Sequence, residues 1–351
     1  MSHMLQPWID VNKINWSSFS KNTNEYAIHM LCEEYPTKIV WQCMSMNPSD
    51  CAIDLLRANP DKIDWIHLHH NTNEDAIAIF QEHRDKIRWF SMSMNTTQQA
   101  MQLLDEKIME YETMDDVQRL TVFLNQLNWG ALSRNTQEGA MQLLQKYPYK
   151  IMWLYLSMNS SDHAIDMLRA NPDNIDWSQL SCNTNDHAIA LLLEHPDKID
   201  WHHFSLNPNE HAIAFLRDHP NYINWQMLSR NQHEHAIALL REYPDKIMWL
   251  YLSSNPNAYA IALLREYPDL INWTQLMQNT HDDAIALLQE NYSCWRNEDK
   301  HKICMYLSHN RNCHVVALLE PFANDILWQN ISRNPGIFQS PIVSVTSYVL
   351  K

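Results

Sequence analysis

The sequence predicts an all-α fold, a right-handed α-solenoid of about thirteen 24-residue repeats, each pairing an α-helix with a short α or 3-10 segment. Three observations predict it. Tryptophans recur every 24 residues from Trp129 through Trp153, Trp177, Trp201, Trp225 and Trp249 to Trp273, and the same phase runs back through Trp89, Trp65 and Trp41, with one extra residue before Trp16. Self-similarity at a fixed period marks a repeat array. An Asn holds one slot in all thirteen units, from Asn22 to Asn334. Only three glycines occur in 351 residues, too few for the turns and bulges of a β-rich fold or for a phosphate-cradling loop.

In chain order, residues 1–13, with Trp8, are expected to cap the N-terminal end, and repeats fill 14–104. Each repeat opens with Ile-x-Trp-x-x-Leu-Ser, two turns long, which fits either a short α-helix or a 3-10 segment. The framework Asn follows, and then Thr, Pro or Ser in eleven units; Asp, Glu or Gln stands three residues after the Asn in ten of the first twelve. This is the pattern of an N-cap, so Asn71, Asn183, Asn207, Asn231 and Asn255 are expected as structural caps. The serine two residues before the Asn, as in Ser205, is expected to bond local backbone. A second helix carries the apolar stripe Ala-Ile-x-Leu-Leu and stops near Pro196, Pro220, Pro244 or Pro268.

Two such helices cannot bury Trp, Leu and Ile alone, whereas stacked neighbours can. At roughly 1.5–3 kcal/mol for each buried large side chain, the Trp-Leu-Ile ladder is the expected source of cohesion. Insertions break the phase at 105–122, which reads as helical, and at 290–302; repeats resume over 123–289 and 303–335. With repeats ~8–10 Å apart, the expected shape is a curved rod on the order of 100 Å long. Its far end would be capped by 336–351 through the apolar stretch Pro341 to Leu350.

Composition narrows the function. Hydrophobic residues make up 45% and charged ones 19%, as in a folded protein, and the net charge of −15 opposes a phosphate-backbone partner. No apolar stretch approaches the ~20 residues that span a bilayer. Seven cysteines without a spacing pattern fit a reducing compartment, hence a cytoplasmic protein.

The run Trp-x-x-Leu-Ser-x-Asn-Pro-x-x-x-Ala-Ile-x-Leu-Leu-x-x-x-Pro-Asp-Lys-Ile, seen best from Trp201 to Asn224 and from Trp249 to Asn272, resembles the Asn-Pro helical repeats of large nucleocytoplasmic DNA viruses. The period and the Leu-(Ser/Ala)-x-Asn-Pro core also resemble the bacterial leucine-rich-variant repeat, an α/3-10 superhelix. The first resemblance implies a viral protein, in the host cytoplasm or the virion. Neither implies a common activity, and the bacterial family's cysteine-bound iron–sulfur module has no counterpart in this sequence.

Candidate sites follow from what the framework leaves variable. His163, His187, His211, His235 and His314 share one slot, read as a polar position in the first turn of the second helix. Repeats ~8–10 Å apart cannot bring such a row to one zinc ion. Cys294, His301, Cys304, His309 and Cys313 cluster near the second insertion without a zinc spacing. No catalytic residue, metal site or cofactor is expected. On the short helix, apolar and aromatic residues vary while the frame does not: Phe90, Met94, Tyr155, Met158, Tyr251 and Tyr306 are the partner-binding candidates. The same residues are open to the alternative that they pack on the neighbouring repeat. The expected function is a non-catalytic scaffold for a protein partner, with neither nucleic acid nor membrane as partner. The rival readings are a nucleic-acid-binding helical repeat and a metal-binding or enzymatic module at the insertions.

Overall fold

A computed structural model describes residues 5, 9–114, 117–295 and 300–337, so Trp8 and the Pro341 to Leu350 stretch of the expected end caps lie outside the described residues. Among the described residues every element of the array is an α or 3-10 helix and no strand is formed. The eighth repeat shows why. Asp200 caps the short α-helix Trp201–Leu206 by accepting from the backbone N–H of His202 and His203. Phe204 points inward and is fully buried, while the Ser205 hydroxyl donates to the Trp201 carbonyl at 2.7 Å. The chain turns at Asn207 and enters the α-helix Glu210–Asp218, whose Ala212, Ile213 and Leu216 form the buried stripe. That helix ends at His219, where Pro220 sets the φ of a 3-10 helix, Pro220–Tyr222, and Ile223 leads into Trp225. Of the two alternatives for the Ile-x-Trp-x-x-Leu-Ser segment, the α-helix is the one formed, and the 3-10 helix is a separate element at the proline that follows the second helix.

The helices group into two compact units, residues 45–272 and residues 1–44 with 273–351. Within the first, polar ladders join each repeat to the next. Each framework serine accepts from the backbone N–H just before the following Trp: Ser157 from Asp176, Ser181 from Asp200 and Ser205 from Asn224, at 2.9–3.0 Å. Local bonding was only half of the serine's role. His69 takes this place in the third repeat, its Nδ1 facing the Trp65 carbonyl and its Nε2 accepting from the Arg88 N–H at 2.8 Å.

The framework asparagines are not caps, which corrects the assignment of Asn71, Asn183, Asn207, Asn231 and Asn255. The caps fall two residues later, on Asn73, Asn185, Asn209, His233 and Asn257. In all thirteen repeats the framework Asn lies buried and its Oδ1 accepts from the N–H two residues on, at 2.8–3.0 Å. Its Nδ2 donates backward: Asn207 to the carbonyls of Ser181 and Asn183, Asn231 to those of Ser205 and Asn207. A buried amide with both ends satisfied is stable, and an Asx turn looks like a cap in sequence because both use Asn before a backbone N–H. The acidic residues expected at N3 open the second helix instead. Asp162 and Asp186 each accept from the side-chain amide of the next repeat's cap, Asn185 and Asn209.

The apolar core is also shifted from expectation. The residue three after each Trp is fully buried (Leu156, Leu180, Phe204, Leu228 and Leu252) along with the Ala-Ile-Leu stripe, whereas most of the Trp rings are half-buried. Trp201 stacks on Tyr222 of its own 3-10 helix, ring centroids 4.3 Å apart. The tryptophans therefore cover the seam between elements, and Leu, Phe and Ile fill it.

In the unit of residues 1–44 and 273–351 the two ends of the array meet. The Asn15 N–H donates to Ser332 Oγ at 3.1 Å, and Lys13 Nζ lies 5.5 Å from the Trp328 ring centroid. Asn15 precedes Trp16 and Ser332 precedes Asn334, so this is the same serine bond that joins consecutive repeats. The last repeat thus receives the first repeat in the place where the sequence offered only the terminal segments as covers. The close approach of Gly336 to this unit's backbone is real: a Cβ there would stand 2.1 Å from the Cys313 carbonyl oxygen.

Both insertions are helical where described. The first is a lengthened second helix, Gln98–Thr113, followed by Val117–Asn125. The second holds Tyr292–Trp295 and leads into Lys300–His309. Trp295 is fully buried, with its Nε1 donating to the Leu288 carbonyl, and Cys304 is buried in the core.

Candidate functional site

The short helix depends on the residue before its Trp. Asp64, Asp176, Asp200, Asn128 and Asn224 each cap it by accepting from first-turn N–H groups. Met152 and Met248 hold that slot in the sixth and tenth repeats and supply no side-chain bond. These two repeats share one eight-residue segment, Lys150–Ser157 and Lys246–Ser253, both reading Lys-Ile-Met-Trp-Leu-Tyr-Leu-Ser. Their Met152, Leu154, Met248 and Leu250 are 45–47% exposed. The fourth repeat repeats the theme: Arg88 leaves its helix uncapped, and Phe90 is 56% exposed. At these places a cap worth about 0.5–2 kcal/mol is missing and large apolar side chains face water.

The predicted partner row divides. Phe90 and Met94 are exposed, while Tyr155, Met158, Tyr251 and Tyr306 are half-buried. Tyr155 lies across Gly130 of the preceding repeat, where a Cβ would come within 2.9 Å of the ring. Tyr251 takes a hydrogen bond on its hydroxyl from Gln226 Nε2 at 2.9 Å, and Arg230 sits over its ring. These tyrosines brace the face against the preceding repeat. Beside Gly130 the face opens into a groove of about 480 Å³ lined by Met94, Thr96, Arg134 and Tyr155. Reasoning from sequence missed Met152 and Met248. Their signal was there: Met where most repeats carry Asp or Asn, twice, in identical segments.

The chain was compared with protein families, curated proteins and solved structures, and nothing matches in any of the three.

Other candidates resolve locally. His163, His187, His211 and His235 are exposed in the first turns of their helices, and His314 is exposed at the N-cap of Val315–Leu319; His187 Nδ1 lies 3.5 Å from Asp162. Cys294 and Cys313 are exposed, and burial, with Asp325 nearby, pushes the Cys304 thiol upward. Ser178, His203 and Asp200 stand together, but both the hydroxyl, at 3.1 Å, and the carboxylate, at 3.0 Å, meet the same ring nitrogen, Nδ1. A serine nucleophile needs its base's other nitrogen free for it. Ser178 instead donates to Asp200 at 2.8 Å. Burial pushes the Asp200 carboxyl up, but that bond and those from His203 outweigh it and hold the carboxyl low. It serves as the ionised cap of Trp201–Leu206. Among the described residues no helix is long and apolar enough to cross a membrane.

Proposed function

We propose that this protein is a non-catalytic scaffold that binds a protein partner through the short-helix face, with Met152–Leu154 and Met248–Leu250 as two equivalent anchors. The observation that carries the reading is the pairing of a missing cap with exposed apolar side chains, twice, in identical segments. Folding alone favours Asp or Asn before the Trp, and a local rule broken without a folding gain points to function. Met and Leu held on a rigid helical frame suit an interface core, where a few buried anchors carry most of the energy. Phe90 and Met94 extend the face, and Tyr155 and Tyr251 position it. The seven free thiols support a reducing, cytoplasmic setting.

The double variant Met152→Asp with Met248→Asp separates binding from folding. Each Asp restores the cap, so the variant should melt at or above the parent's temperature, with a gain of about 0.5–2 kcal/mol per site. It should also lose the proteins that co-purify with the parent from a cell extract. Retention of the same co-purifying proteins by the variant would overturn the assignment.

A further inference from the structure

Acidic residues outnumber basic ones in this chain by 41 to 26, and many surface arginines meet a carboxylate of the next repeat: Arg57 meets Asp75, Arg169 meets Glu194, and Arg217 meets Glu242. One cleft runs against this. Where the first repeat docks on the last, an opening of about 410 Å³ is lined by Lys21 and Thr23 from the first repeat, His309 and Arg311 from the twelfth, and Asn330 and Arg333 from the thirteenth. No carboxylate side chain lines it. Among the described residues, Lys21, Arg311 and Arg333 make no ion pair.

Nothing in the framework asks for these cations. Lys21, His309 and Arg333 occupy the slot before the framework Asn, which elsewhere holds Met46, Met94, Met158, Cys182, Leu206, Ser254 or Gln278, and a basic residue at His70, Arg134 and Arg230, none of which lines this cleft. The slot accepts almost any side chain, yet three basic ones fall together where the first repeat meets the last two, Lys21 standing 288 residues before His309 and 312 before Arg333. Unpaired cations gathered in a cleft repel one another and focus a positive potential that a bound anion relieves. Two guanidinium groups supply planar forks of the kind that match phosphate oxygens, and Lys21 adds an ammonium. Thr23 and Asn330 supply neutral hydrogen-bonding groups. The lining contains no Phe, Tyr or Trp on which a nucleobase would stack. The volume falls in the small-ligand range of about 300–1,000 Å³.

We propose that this cleft binds a small, multiply charged phosphate anion lacking a base, held by Lys21, Arg311 and Arg333 across the junction of the first and last repeats. A nucleic-acid strand would need the basic track to continue, and the slot turns apolar in the second, fourth and sixth repeats.

Calorimetric titration of the full chain with inorganic tripolyphosphate tests the site. The parent should bind one equivalent. Arg311→Gln with Arg333→Gln should weaken binding by about tenfold or more for each guanidinium lost. Lys21→Gln alone, a milder change, should weaken it less. Arg169→Gln with Arg217→Gln, which do not line the cleft, should leave it unchanged. Because the cleft draws on both chain ends, saturating tripolyphosphate should slow amide exchange over residues 15–22. The absence of saturable binding to the parent overturns the proposal, as does equal loss in the Arg169/Arg217 control. Equally tight binding of citrate would overturn the phosphate assignment.

Discussion

The side-chain amide of Asn207 donates to the backbone carbonyl of Asn183, twenty-four residues earlier, at 2.7 Å. Asn183 makes the same bond to Asn159 at 2.8 Å, and Asn231 makes it to Asn207 at 2.8 Å. The residue that most strongly marks the repeat is therefore a joint between repeats, which explains why it does not vary while the true cap two positions later alternates among Asn, Ser, Thr, Gln and His.

Asn207→Ala should cost much more than Asn209→Ala. The first strands the Asn209 N–H and the carbonyls of Ser181 and Asn183 in a buried place. At about 1–3 kcal/mol for an unsatisfied buried group, the loss should reach about 3 kcal/mol or more. The second removes a partly exposed cap worth about 1 kcal/mol. Urea unfolding of the two variants compares them directly, and an equal or larger loss at Asn209 would return the framework Asn to a capping role.

Phe204→Ala should destabilise more than Trp201→Ala. Phe204 is fully buried, and truncating such a side chain costs ~3–5 kcal/mol. Trp201 is larger but half-buried, stacked on Tyr222 at the seam. Guanidinium melts reversing this order would show that the tryptophan ladder, and not the row three residues on, holds the repeats together.

His69 makes stability depend on pH. Burial depresses its pKa below the ordinary histidine value near 6.5, outweighing the bond to the Trp65 carbonyl, with the charges of His70 and Arg88 adding to it, and the neutral ring accepts from the Arg88 N–H at Nε2. In the unfolded chain the ring gains its proton first as pH falls. The contribution of His69 is thus fully present above about pH 6.5 and is lost progressively below it, toward the lowered folded value. His69→Ser, which restores the residue used in other repeats, should flatten the fall in stability below about pH 6.5. An unchanged slope in the variant would remove His69 as its source.

The docking of the first repeat on the last is open to hydrogen exchange. The Asn15 amide should exchange as slowly as that of Asp200, since both donate to a framework serine, at 3.1 and 3.0 Å. Ser332→Ala should release Asn15 alone among such amides. Fast exchange of Asn15 in the parent would mean the array has a free end in solution.

The sequence by itself determined the period, the helical class, the apolar slots and the stops at proline, because these are local: a stripe at helical spacing and a Pro act within one repeat. It also marked the short-helix face as the place where Phe90, Met94, Tyr155 and Tyr251 vary. Tertiary structure decided the rest. Whether Asn207 caps its own helix or reaches back to Asn183 depends on a neighbour 24 residues away, and the local pattern is the same for both. Whether Tyr155 faces a partner or braces the preceding repeat turned on Gly130, a residue of a different repeat. That Asn15 meets Ser332 was invisible for the same reason. Every repeat presents like faces to its neighbours, so no residue near either end announces that those faces will find each other.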